Sequence, residues 1–106
     1  MSLQHQRVWD ELRQLKDGER ILGPELRAIA GIKDERTFFS VIEDLRELGM
    51  AIGASKYKPR GYFEIRTQHE MAGYLSTSYK ELIQRKKVLD TMRKQFKKDQ
   101  IERVNN

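Results

Sequence analysis

Apolar residues return at helical spacing in four stretches of the chain, set apart by glycine, proline and one short alternating segment. Val8, Leu12 and Leu15, with Trp9 beside them, predict a first helix from Gln4 to Lys16, which Asp17-Gly18 ends. Ile21-Leu22 follows as a short apolar connection. Gly23-Pro24 opens a second helix, because proline at the first helical position gives up only an amide that has no intrahelical partner there. Leu26, Ile29 and Ala30 are its inward residues, and Gly31 stops it. Asp34 is an N-cap for a third helix that runs through Leu48, with Gly49 as the left-handed residue after it. Phe38, Phe39, Ile42, Leu45 and Leu48 form the apolar side of this helix. Lys33, Arg36, Ser40, Glu43 and Glu47 form the polar side, with Thr37 and Asp44 on its flank.

The pattern then changes period. Met50-Ala51-Ile52 reads as a short strand, Gly53 to Arg60 as a turn region stiffened by Pro59, and Tyr62 to Arg66 as a second, alternating strand. Thr67 and Glu70 have the spacing of a capping box and open a long helix that continues to about Lys98. Residues 99–106, ending Val104-Asn105-Asn106, are expected to fray. The fold class that results is mainly α with a small β-hairpin: a first domain over 1–66, then a long amphipathic helix over 67–98.

Composition narrows the class. A chain of 106 residues builds one modest core, too little for that and an elaborate catalytic cleft. No apolar run approaches the ~20 residues that span a bilayer, and the amino end lacks the layout of a secretion signal. The chain has no Cys, which removes disulfides, thiolate zinc sites and cysteine nucleophiles and points to a reducing cytoplasm. Net charge is +5, but residues 1–70 hold 12 basic and 12 acidic side chains, so the excess lies wholly in the last third. Lys56, Lys58 and Arg60 are a local exception, with no acid between Leu48 and Phe63.

Three short helices and a hairpin, with the second and third helices split by Gly31-Ile32-Lys33, have the order of a helix-turn-helix followed by a wing. Phe38-Phe39, Ile42, Leu45-Arg46-Glu47-Leu48-Gly49, Ile52 and Gly61-Tyr62 together resemble the biotin-repressor-like winged-helix domains over roughly residues 4–66. No chain remains to build the catalytic part of a biotin ligase. The second strand, Thr67, Glu70 and the charged helix after them are also similar to small winged-helix proteins encoded by bacteriophages. That resemblance implies a place among the replication or regulatory genes of a phage or other mobile element, with transcription regulation as the leading role, in the cytoplasm of a bacterial or phage-infected cell.

Three surfaces carry candidate chemistry. Lys33, Arg36, Thr37 and Ser40 lie at the amino end of the third helix, the end that enters a major groove first in a helix-turn-helix. Asp34, Glu35, Glu43, Asp44 and Glu47 on the same helix oppose that use, since phosphates repel carboxylates, and the face reads equally well as solvated. Lys56, Tyr57, Lys58 and Arg60 put three cations and an aromatic ring on one turn, suited to a phosphate backbone or a minor groove. The competing reading is an ordinary turn whose lysines protect a sheet edge. On the long helix, Leu75, Leu82, Leu89 and Phe96 are seven apart, with Met71, Ser78, Arg85 and Met92 on the companion line. The pattern resembles a coiled coil, and Leu75, Leu82, Leu89, Met92 and Phe96 are its candidate dimerisation residues. The first half of the helix can pack on the core while its second half projects and leaves Leu89, Met92 and Phe96 for a partner helix, a second copy being the simplest. The competitor is a helix folded back on its own subunit. Arg85-Lys86-Lys87 and the cations up to Lys98 make a second phosphate-binding surface, a contact for an acidic partner, or a solubilising helix end. Adhesion to a membrane surface ranks below these.

Enzyme chemistry finds no support. His5 and His69 read as solvated polar residues, no metal-ligand spacing or phosphate-cradling glycine loop occurs, and Ser76 and Ser78 have no identifiable base. The expectation is a non-catalytic, cofactor-free protein that binds double-stranded DNA as a homodimer. The alternatives are a module that binds a replication or transcription protein, and accessory DNA binding in replication or recombination.

Overall fold

Helix ends strand amide and carbonyl groups that other parts of the chain must satisfy, and the ends of these helices show how each is placed. The computed structural model describes residues 1–105. Helix α1, Leu3–Gln14, starts at Ser2, whose hydroxyl accepts from the His5 amide. Helix α2, Gly23–Ala30, has proline in its first turn and ends on Gly31 in the left-handed region (φ 72°). Helix α3, Glu35–Glu47, starts at Asp34, whose carboxylate accepts from the Thr37 amide at 3.0 Å. Strands β1, Ile52–Ser55, and β2, Gly61–Glu64, pair antiparallel with Gly53 opposite Phe63. Helix α4, Gln68–Asn105, follows one residue after Thr67.

Met1–Thr67 forms one compact unit, and a second begins at Gln68. The core of the first unit is made by Val8 and Leu12 of α1, Leu26 and Ala30 of α2, Phe38, Val41, Ile42 and Leu45 of α3, and Ile21, Ile32 and Ile52 beside them. The spacing of the α3 set places it on one face of the helix, as a helix packed on one side requires. Phe39 and Leu48, expected inside, are 48% and 63% exposed. Phe39 stands a full 100° round the helix from Phe38, and Leu48 falls after the last helical residue. Val41 takes the inward place instead. Ile29 is likewise half-exposed, because Leu26 and Ala30 alone face the core from so short a helix.

The strands depart from the predicted bounds. β1 begins at Ile52 rather than Met50, because the Met50 amide still donates to Leu45 O and closes the end of α3. It continues through Gly53, which had looked like the start of a turn. A Cβ at Gly53 would lie 2.5 Å from the Phe63 ring, so glycine is what lets that ring lie across the sheet. The Arg20 guanidinium covers the same ring at 3.5 Å from its centroid. β2 begins at Gly61, whose φ of 124° and close approach to the Ile21 carbonyl both exclude a side chain. There Ile21 and Tyr62 exchange two backbone hydrogen bonds, so the segment between α1 and α2 joins the hairpin as a one-residue bridge. Tyr62 then turns its ring edge-on to Phe38, centroids 5.4 Å apart, and links the hairpin to the core.

β2 ends at Glu64, two residues before the predicted end of the strand, and a last backbone bond from the Ile65 amide to Ala51 O follows it. Arg66 turns instead to the end of α1, donating to the carbonyls of Leu12, Arg13 and Leu15 and pairing with Asp17 and Glu64. The carbonyls stranded at that helix end are thus satisfied by one guanidinium from the far side of the hairpin.

Helix α4 is longer than the pattern implied: it continues past Lys98 to Asn105, and Asn106 lies outside the described residues. None of its residues is buried. Among the described residues, no helix is long and apolar enough to cross a membrane.

Candidate nucleic-acid interface

The first half of α3 and the hairpin turn carry the candidate residues of the first unit, and all of those side chains are exposed. Lys33 lies in the turn before α3, and Arg36 and Ser40 follow at helical spacing, so the three share a stripe. The same stripe continues into Glu43 and Glu47. The helix therefore offers cations at its amino end and carboxylates at the other, and the helix dipole adds to the positive end.

Two of the opposing acids are already engaged within the unit. Asp44 accepts from His5 Nε2 at 2.8 Å, and Glu43 pairs with Arg46 at 3.3 Å. His5 is thus part of the α1–α3 contact, hydrogen-bonded also to Ser2 Oγ, and not the solvated terminal residue expected. Arg46 donates as well to Ile52 O at 3.0 Å, which ties the end of α3 to the first residue of β1. Thr37 has a local role at the cap: its hydroxyl and amide bond to Asp34 and hold that carboxyl below its ordinary value. Among the α3 candidates, Lys33, Arg36 and Ser40 remain the ones turned outward for a ligand.

The hairpin turn spans residues 56–60. Tyr57 is 83% exposed, the most exposed large apolar side chain of the protein's described residues. Lys56, Lys58, Pro59 and Arg60 stand exposed around it, and the Lys58–Pro59 peptide is cis. Ser55 Oγ donates to Tyr57 O at 2.8 Å and closes the turn on itself. That bond occupies the hydroxyl proton and leaves the three cations and the ring as the outward chemistry.

Arg85, Lys86 and Lys87 belong to α4 in the second unit, where all three are exposed. Leu75, Leu82, Leu89, Met92 and Phe96 are exposed on the same helix. Thr91 and Asp90 are engaged locally, with Lys87 O and Arg93 respectively.

A feature the sequence did not announce lies between α2 and α3. Gly23, Pro24, Arg27, Glu35, Phe38 and Phe39 line a cleft of about 140 Å³. Phe39 borders it as a half-exposed ring, with Arg27 and Glu35 providing opposite charges. The only sign in the sequence was the doubling of aromatics at 38 and 39, which one side of a helix does not bury equally. Among the described residues, no three His, Asp or Glu side chains gather as metal ligands do. No protein family, curated protein or solved structure matches the chain.

Proposed function

We propose that this protein is a winged helix-turn-helix protein that binds double-stranded DNA without catalysis, as a dimer paired through α4. In this reading α2 and α3 are the helix-turn-helix and the hairpin is the wing. The observation that carries it is the turn at 56–60: three cations and an 83%-exposed tyrosine on one loop, with no acid among them. Such a loop gains from displacing counterions along a phosphate backbone, and its ring packs on sugar or a widened groove edge. Lys33, Arg36 and Ser40 supply base-edge and phosphate contacts from the amino end of α3. The engagement of Glu43 and Asp44 with Arg46 and His5 reduces the repulsion that the rest of that helix would exert. Arg85, Lys86 and Lys87 add non-specific attraction. Transcription regulation in a phage or another mobile element is the role that the sequence resemblance adds to this reading.

The test is enrichment from a random double-stranded DNA pool at several salt concentrations, with mass measured on the same sample. The expected result is salt-sensitive selection of one symmetric motif by a dimer. Lys56→Glu with Lys58→Glu lowers the affinity and flattens the dependence of log affinity on log salt by about four, because each of the two copies loses two phosphate contacts. No binding at low salt removes the proposal.

One observation favours a second reading, a module that binds a replication or transcription protein. The cleft beside Phe39 joins a half-exposed ring to Arg27 and Glu35, a mixture typical of protein contacts and foreign to phosphate recognition. Phe39→Ala separates the two: it leaves DNA affinity unchanged if the wing and the amino end of α3 carry function, and abolishes partner capture if the cleft does.

A further inference from the structure

The apolar stripe of α4 is interrupted by charge, and the positions of the interruptions discriminate between ways of pairing two copies. Leu75, Leu82, Leu89 and Phe96 occupy one core line, with Arg103 next on it. Met71, Ser78, Arg85, Met92 and Asp99 occupy the other. In a parallel pair each core residue faces its own copy. Arg85 would then meet Arg85, Asp99 would meet Asp99, and Arg103 would meet Arg103, each a like-charge contact at the seam. Glu81 opposite Lys86 of the second copy is the one favourable flanking pair that this arrangement offers.

An antiparallel pair sets one core line against the other. In the register centred between Ile83 and Gln84, Met71 faces Phe96, Leu75 faces Met92, Ser78 faces Leu89 and Leu82 faces Arg85. No like charges meet. Arg85 lies over Leu82 with its long stem, beside Glu81 of the second copy, so its head has a carboxylate at the seam's edge. Tyr79 flanks Lys86 on the other side. Sliding the second copy by one heptad in one direction places Leu75 opposite Asp99, and in the other sets Phe96 opposite position 64, before α4 begins, so the overlap of apolar residues defines the register.

We infer that α4 pairs with α4 of a second copy in antiparallel sense, centred between Ile83 and Gln84. This rests on the proposed pairing through α4, and it adds the direction and register that a heptad pattern alone leaves open. Its consequence is spacing. The two Gln68 residues, where each α4 begins, lie about 46 Å apart along the pair, against about 10 Å for a parallel pair.

Cross-linking tests it on the full chain, because the protein has no cysteine of its own. Leu75→Cys and Met92→Cys are made separately, checked for undiminished helix content by circular dichroism, and oxidised alone and as a mixture. The expected result is a disulfide-linked dimer in the mixture and little in either variant alone. Efficient linkage of each variant to itself overturns the antiparallel direction while leaving a dimer through α4. A monomeric mass for the unsubstituted chain at tens of micromolar overturns both the direction and the dimer.

Discussion

At the scale of single residues, a few side chains hold contacts that composition does not announce. Asp34 is one. Thr37 donates to its carboxylate from both hydroxyl and amide, which holds the carboxyl below its ordinary value of 3.8. The folded value lies below the unfolded one, so the stability this contact adds is complete above the unfolded value and is lost as pH falls through the folded one. Asp34→Ala is therefore expected to lower the urea midpoint at pH 7, with the deficit shrinking on acidification below about pH 4. An equal deficit at pH 7 and in strong acid would rule out the ionised carboxylate as the source. Gly53 is another such residue, since a methyl group there meets the Phe63 ring. Gly53→Ala should cost about 2 kcal/mol through overpacking, and the double variant with Phe63→Leu should recover part of it in the same urea titration. Leu45, fully buried in α3, sets the reference for the core: Leu45→Ala is expected to cost about 3 kcal/mol.

At the scale of elements, Arg66 decides how the hairpin meets the first helix. It stands after β2, yet its guanidinium reaches three carbonyls at the end of α1. Replacing it by Met keeps most of the stem and removes every donor. Arg66→Met should therefore raise the hydrogen-exchange rate of the last turn of α1 and the β2 amides together. A change confined to the hairpin would show that the contact with α1 adds nothing. The helices themselves were readable from the sequence: Asp34, Gly31 and Gly49 mark ends that any helix of this pattern needs, and they stand where the ends are. The bounds of β1 are not legible in the sequence, because Gly53 has low strand propensity and only the ring across the sheet explains its place in the strand. The place of Phe39 is not legible for a related reason: a helix with two adjacent aromatics can bury either, and the position of α2 chooses Phe38.

At the scale of the whole molecule, the chain divides at Gln68 into two units: the basic turn and the amino end of α3 lie in the first, and the heptad stripe lies in the second together with Arg85, Lys86 and Lys87. If α4 pairs as proposed, its helix signal gains stability from association, and the melting temperature followed at 222 nm rises with protein concentration. Leu89→Asp with Phe96→Asp should abolish that dependence and reduce the mass to a monomer, and DNA affinity should fall because two linked sites become one. A wild-type melt independent of concentration over a hundredfold range, with the mass of one chain, argues against any pairing. The Lys56 and Lys58 changes should leave mass and melt as they were, which separates loss of the wing from loss of the dimer.

Local chemistry was enough to place the helices, the helix-end residues Asp34, Gly31 and Gly49, the hairpin and the basic turn, because each depends on residues close in sequence and on backbone groups that must be satisfied nearby. The tertiary structure alone decided which aromatic is inside, that Gly53 lies in a strand, that Ile21 joins the sheet through Tyr62, and that His5, Arg46 and Arg66 bind other elements. Those are contacts across as many as 54 residues of sequence, as in Arg66 to Leu12. Spacing along the chain carries no information about which of several polar side chains will meet a given carbonyl or carboxylate. That is settled only when packing of the apolar core brings distant backbones within hydrogen-bond reach.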